Sequence, residues 1–304
     1  MQIVRNILFV LFVLAFLEPI LAQEKFEESI FYKPVLHLGL QTGASQYLGE
    51  LNTRWNFKST RTAQHFYLGK NFFREQLNLK IAYSFVQLYA ADKNARDKLQ
   101  QTRNLDFRSD VSEVSLHMLL KLFEVYFSKK DAKVFLHFGG GYMWFDPYTY
   151  YQNEKIFLRP LGTEGQFSYL HSNPTPYSNH SITTPLGVEI KISLTNFWKL
   201  NFNFDHRFTS TGYLDDVFEN YVGYEAFPPS GNGYNGDLAR ELQNRSKDIA
   251  FGMKGSPRGN MTSDQFTTFS IGLEYHFWKN VYKHRLKYKR LQLPSRNAKT
   301  IEEQ

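Results

Sequence analysis

The sequence predicts an all-β chain, an eight-stranded antiparallel transmembrane β-barrel with long extracellular loops and short periplasmic turns. Three observations lead there. Apolar and polar residues alternate with a period of two in segment after segment, as along a strand with one greasy face. The connections between those segments run long, short, long, short through the whole chain. The N-terminus carries the pattern of an export signal. Composition agrees: the chain has 304 residues, no cysteine, 28 Phe and 19 Tyr, with aromatics at 17%. That aromatic share suits strands and membrane-interface girdles. A mean hydropathy of -0.44 excludes a bundle of membrane-spanning helices, but not a barrel whose strands are polar at every second position.

Arg5 and the apolar run 7–17 read as a signal peptide over 1–22, with cleavage after Ala22. The run is too short for a spanning helix, which needs about 18 residues or more. A periplasmic leader over 23–34 follows, then the barrel over 35–278 and a basic periplasmic tail over 279–304. A cysteine-free exported chain of this length fits a bacterial envelope protein rather than a disulfide-stapled extracellular domain.

In the first strand, 35–47, Leu36, Leu38 and Leu40 oppose His37, Gly39 and Gln41. A polar loop, 48–61, leads to a weaker second strand, 62–73, and a tight turn, 71–76. The third strand, 77–87, alternates Leu77, Leu79, Ile81, Tyr83 and Phe85 with Asn78, Lys80, Ala82 and Ser84. A charged loop, 89–108, has a helical turn somewhere in 92–101. The fourth segment, 111–122, alternates as a strand, with a helix as its rival. A short turn at 128–131 opens the fifth strand, 133–144, whose Gly139, Gly140 and Gly141 permit bending or close packing. The aromatic, proline-containing loop 145–180 precedes the sixth strand, 182–192, and a tight turn at 193–196. The seventh strand, 197–208, has Trp198, Leu200, Phe202, Phe204, His206 and Phe208 on one parity and Lys199, Asn201, Asn203, Asp205 and Arg207 on the other. The stretch 209–264 reads as irregular, and the eighth strand, 265–277, ends in aromatics. A structureless stretch of that length argues against a soluble domain but is ordinary outside a barrel.

Five stretches at the extracellular strand ends or loops resemble a known family: GASQYLGEL at 43–51, RNLDFRS at 103–109, PLGTEGQ at 160–166, TGYLDDV at 211–217 and RGN at 258–260. They are similar to the small outer-membrane barrels of Bacteroidota that include the outer-membrane component of the type IX secretion system. The resemblance implies residence in outer-membrane lipid. It also implies a role as protein-transport scaffold, whose partners are a periplasmic ring lipoprotein and its companion subunit. The tail cations Lys279, Lys283, Arg285, Lys287, Lys289 and Arg290 would dock that partner, or simply form a solvated extension. A stand-alone surface barrel that binds a ligand or partner through its outer loops remains the alternative reading.

Charge signs predict two networks. At the extracellular mouth, Arg103, Arg108, Arg159 and Arg258 face Glu164, Asp215 and Asp216 as a plug of paired loops. In the interior, His117, Lys121, His137, Glu189, Lys191, Lys199, Asp205, Arg207 and Glu274 fall on inward parities. An eight-stranded barrel is just filled by side chains, so those charges must pair. No cofactor, metal site or nucleic-acid partner is expected. His206, Ser210 and Asp215 are the only residue types suited to a lipid-modifying enzyme, and they lack a Gly-x-Ser-x-Gly elbow. His206 reads better as a girdle residue.

Overall fold

A computed structural model describes residues 35–277, apart from 128–129, 169–175, 196, 232, 247 and 249–250. The expected signal peptide, leader and basic tail, with all six docking cations, lie outside the described residues. Eight long strands form the barrel: β1 (Val35–Leu48), β2 (Arg61–Phe72), β3 (Leu77–Ala91), β4 (Asp106–Phe127), β5 (Lys130–Trp144), β8 (His180–Ser193), β9 (Trp198–Thr209) and β10 (Gln265–His276). Each pairs antiparallel with its neighbour, β1 pairs with β10, and β3 with β4, so the sheet closes on itself with no free edge among these eight. A short hairpin, β6 (Pro147–Tyr151) and β7 (Glu154–Phe157), adds to β4 above the barrel.

The barrel is turned inside out relative to a water-soluble protein. Leu116 and Ile182 point outward and are 60% and 61% exposed, with Leu38, Leu40, Phe66 and Ile271 around the same belt. His37, Lys80, Glu189, Lys191, Arg207 and Glu274 point inward and are buried. Such an arrangement is stable only where hydrocarbon bathes the outside, and a closed barrel is the β-structure that leaves no unpaired backbone edge there. Aromatic side chains rim the belt. Trp198 packs on Tyr275 and Tyr275 on Phe277 at the end with the short turns. Tyr142 packs on Trp144 and His180 near the end with the long loops.

Three stretches differ from the sequence expectation. β4 runs to 22 residues, well beyond 111–122. Its pairing register shifts between Lys121 and Phe123, so Leu122 and Phe123 are both exposed and the alternation breaks where the strand in fact continues. The β6–β7 hairpin is hidden in the sequence because its turn residues, Gln152 and Asn153, both take positive φ (50° and 68°). That is the geometry of a two-residue hairpin turn without the Asn-Gly signature that usually announces one. The stretch 209–264, expected to be irregular, contains a helix. It is the second of two α-helices in the loops among the described residues. The first, α1 (Lys98–Arg103), lies in the loop after β3 and is capped by the Asp97 side chain, which accepts from the Leu99 N–H at 3.0 Å. The second, α2 (Gly236–Gln243), is capped by Asn235, which accepts from the Leu238 N–H at 3.0 Å.

These loop elements fold together over the barrel mouth. Ala239 and Leu242 of α2 are buried with Leu51, Leu88, Leu105, Phe107, Leu161, Leu214, Val217 and Phe266. This is the apolar core of the molecule, and it sits in the cap. The middle of the barrel is filled by polar side chains instead.

Candidate functional site

The lumen is built from inward positions of every strand. Arg207 lies between two acids, with Nε donating to Glu113 at 2.7 Å and Nη1 at 2.9 Å from Asp205 Oδ2. One layer toward the turns, Lys80 Nζ donates to both Glu189 oxygens at 2.8 and 2.6 Å. Lys191 Nζ donates to Glu274 at 2.8 Å, and Glu274 also accepts from Tyr67 Oη at 3.0 Å. Four carboxylates, Glu113, Asp205, Glu189 and Glu274, thus interleave with three cations, Arg207, Lys80 and Lys191. At the turn end Lys199 and Lys133 both reach Glu75, at 2.8 and 2.7 Å. Glu75 sits in the β2–β3 turn with φ 69°. Burial alone would raise its carboxyl, but Lys199 and Lys133 outweigh burial and hold it at about 2.

Of the expected interior residues, His117, His137, Glu189, Lys191, Asp205, Arg207 and Glu274 line this lumen. Lys199 is recruited to the Glu75 latch. Lys121 pairs with Glu124 at 3.2 Å where the β4 register shifts, and Glu124 in turn lies 3.7 Å from Lys133, so Lys121 joins the edge of the Glu75 latch. Sequence reasoning missed Lys80, Glu113, Tyr67 and Asn201 as network members. Lys80 and Glu113 share the inward parity of their strands and were open to the same reasoning. Tyr67 was too, since it alternates with the outward Phe66 and Leu68, and Gly39, its β1 partner, leaves room for its ring inside.

At the mouth, all five family-like stretches join one bonded cluster. Arg103 donates bidentately to Asp92, both contacts at 2.8 Å, and also to the carbonyls of Arg258 (2.6 Å) and Glu50 (3.1 Å). Arg258 Nη1 donates to Glu164 at 2.8 Å and to the Asp216 carbonyl, and its Nη2 lies 3.7 Å from Asp216 Oδ2. Glu164 in turn accepts the Phe218 N–H at 2.8 Å and the Glu219 N–H at 3.1 Å. Tyr47 Oη, at the end of β1, contacts Asp215 at 2.6 Å and also Asp264 and Glu50. Two guanidinium groups therefore stitch four loops, each bonding backbone and carboxylate at once.

Two expected members do not join. Arg108 lies 3.8 Å from Asp106 and stacks over Tyr89 and Tyr150, because its strand parity turns it away from the cap interior. Arg159 donates to the Tyr177 carbonyl at 2.8 Å instead of to a carboxylate. The carboxylate that pairs with Arg103 belongs to Asp92, which is none of the expected acids. The enzyme trio does not assemble either. Both His206 ring nitrogens are taken, by Thr267 and Gln265 at 2.9 Å each, Ser210 bonds Ser181 at 2.8 Å, and Asp215 is buried beside Tyr47.

Burial raises the acids of the cap. Asp216 is pushed up to about 6 against the pull of Arg258. Burial, then the neighbouring carboxylates, push Asp215 and Asp264 well above the usual range, and burial raises Glu50. One Tyr47 hydroxyl proton cannot serve three carboxylates, so burial and their mutual repulsion favour the protonated form of the cluster.

No family model and no curated protein matches this chain. Similar solved structures include a major outer membrane protein of Thermus thermophilus, with 11% identity, a TM-score of 0.41, and 81% of this chain and 100% of that one covered. The attachment invasion locus protein Ail of Yersinia pestis has 6% identity and a TM-score of 0.36, and Neisserial surface protein A has 8% and 0.35, both over 81% of this chain and 100% of theirs. The fold itself is established by the strand pairing.

The two arginines differ in what their loss costs. Arg258→Ala leaves Glu164 and Asp216 buried without a cation and destabilises the cap by about 3–5 kcal/mol. Arg108→Ala removes a half-exposed pair worth about 0–1 kcal/mol. Limited proteolysis in detergent is expected to cut the loops of Arg258→Ala far faster than those of the parent while sparing the strands, with Arg108→Ala close to the parent. The raised acids also set a pH dependence. Their folded pKa lies above the unfolded one, so the stabilisation is full below the unfolded carboxylate value and is lost as pH rises through about 6 for Asp216. The cap is expected to resist cleavage better at about pH 5 than at about pH 7.5, as read by an acid-tolerant protease calibrated on a peptide substrate at each pH.

Proposed function

We propose that this chain is a non-enzymatic outer-membrane barrel that acts as an anchor, with its long loops outside the cell and its short turns in the periplasm. The observation that supports it most is the filling of the molecule. The lumen is occupied by ion pairs, its void near the histidines is only about 30 Å³, and the mouth lies under a cap with its own apolar core. A solid barrel of this kind offers no path for solute. Its two Ser–His side-chain contacts among the described residues, Ser115 with His117 and Ser84 with His65, are buried in the lumen beside a void of only about 30 Å³, too small to admit a lipid substrate. What it does offer is a lipid-facing belt and two ends to which other proteins can bind.

By resemblance, the partner would be the periplasmic ring of a type IX secretion system, a lipoprotein with a companion subunit, held through the basic stretch 279–304. Support for that branch comes from the five family-like stretches, which form one bonded cap instead of scattering over unrelated loops. Cells carrying the full chain are expected to yield the ring lipoprotein and its companion on affinity purification. Deletion of 279–304 should lose both and lower secretion of type IX cargo. Unchanged co-purification and unchanged secretion would remove the anchoring role.

A second reading, a surface barrel that binds a partner through its outer loops, is favoured by one feature. An apolar groove of about 380 Å³ opens on the cap between Leu99, Arg103, Tyr221, Phe251, Met253 and Pro257. Leu99 and Met253 on its rim are exposed.

A further inference from the structure

The lumen contains a group of donors that its ion pairs do not use. His117, His137 and Asp205 bring one ligand-type atom each to within 4.8 Å of one another. All three residues are buried, and with His65 they line the same void of about 30 Å³. That volume suits a single ion or water. The arrangement comes from register. His137 on β5 and Asp205 on β9 both pair with Gly187 on β8. A Cβ at Gly187 would lie 2.1 Å from His137 Nε2, so only glycine lets the imidazole lean across β8 toward Asp205.

Three of the residues around the void, His117, Asp205 and His65, are held by one atom and left open at another. His117 Nε2 bonds Ser115 Oγ at 2.9 Å, and its Nδ1 has no hydrogen-bond partner. Asp205 Oδ2 is tied to Arg207 at 2.9 Å, and Oδ1 has no hydrogen-bond partner. His137 Nε2 lies 3.8 Å from that same oxygen and makes a long contact of 3.4 Å with the Phe204 carbonyl, which an ion would replace. His65 Nδ1 bonds Ser84 at 2.8 Å, leaving Nε2 without a partner. A metal-ligating imidazole or carboxylate is commonly steadied through its second polar atom in this way. Unpaired buried donors and acceptors are otherwise destabilising. The charge balance points the same way. Arg207 is shared between Glu113 and Asp205, so of the four central carboxylates Asp205 is the one left under-compensated.

We propose that the barrel lumen binds one divalent transition-metal ion of the zinc type through His117, His137 and Asp205, with the small void beside them leaving room for a water as the fourth ligand. Two imidazoles and a carboxylate form a set suited to zinc or cobalt, and unsuited to calcium or magnesium, which take oxygen ligands. Ligand atoms on bonds of about 2.0 Å lie about 3.3 Å apart in a tetrahedron, so closure from the present spacing needs only small side-chain shifts. The ion would cross-link β4, β5 and β9 in the centre of the barrel.

The test uses the full chain refolded into detergent micelles after removal of metal, with Co²⁺ as the spectroscopic probe and Zn²⁺ as competitor. Folding is checked by heat-modifiable migration. The expected result is one equivalent of Co²⁺ with the visible bands of a low-coordinate site, displaced by Zn²⁺. Affinity should fall about tenfold or more in His117→Gln and Asp205→Asn and remain unchanged in His206→Gln, whose imidazole faces away from the lumen. A folded parent chain that retains no Co²⁺ or Zn²⁺ would overturn the site. So would equal retention by folded His117→Gln. If neither lumen variant folds, the near-ultraviolet to visible spectrum of the parent decides: imidazole-ligated Co²⁺ supports the site, and a hexa-aqua-like spectrum overturns it.

Discussion

Everything in this molecule follows from the width of its lumen. A barrel of eight strands encloses just enough space for side chains, and here the inward positions carry full charges. An arginine or glutamate in that space must find its opposite, because breaking one buried pair costs about 3–5 kcal/mol. Arg207 between Glu113 and Asp205 meets this demand with one cation shared by two acids: β4 supplies Glu113, and β9 supplies both Arg207 and Asp205. Lys80 with Glu189 and Lys191 with Glu274 do the same between β3, β8 and β10. The pairs cross the lumen as well as linking neighbours, so they hold the cross-section of the barrel and exclude a water-filled channel.

The cap solves a different problem. Its long loops can bury apolar groups, and Leu51, Leu105, Leu214 and Leu242 supply an ordinary core. Loops that pack over a mouth also bury backbone carbonyls, which need donors. Arg103 and Arg258 meet that need, since each guanidinium has five N–H groups: Arg103 serves carbonyls of two other loops and the Asp92 carboxylate of its own, and Arg258 serves carbonyls of its own loop and the Glu164 carboxylate of another. Asp216, at φ 64°, accepts the Tyr177 hydroxyl at 2.7 Å and the Thr163 hydroxyl, so the left-handed turn is held from the neighbouring loop. The cap and lumen are thereby two separately stabilised bodies that meet at Tyr47, Phe107 and Phe266.

The barrel is readable in the sequence because its signal has a period of two and one face of each strand is apolar. In 197–208 that alternation identifies Lys199, Asp205 and Arg207 as inward residues before any pairing is known. The features that escape such reading break the period or depend on distant partners. The register shift after Lys121 hides the end of β4. The Gln152–Asn153 turn carries no glycine to announce a hairpin. Charge signs alone bring Arg258 and Glu164 together on paper, but they also suggest Arg108, whose strand parity turns it elsewhere, and they overlook Asp92, in the same loop as Arg103. The open nitrogens of His65 and His117 are invisible in one dimension, because being unbonded is a property of the assembled lumen.

The central claim is that the apolar face of this barrel has lipid as its solvent. The chain has no cysteine, so a single nitroxide label can be placed without removing native thiols. Phe202→Cys puts it in the belt and Met253→Cys puts it on the cap. In phospholipid bilayers, collision of the label with dissolved oxygen and with a water-soluble nickel complex reports its surroundings. The structure predicts that position 202 is reached by oxygen and shielded from nickel, while position 253 is open to nickel. Equal nickel access at both positions would contradict a membrane-spanning barrel.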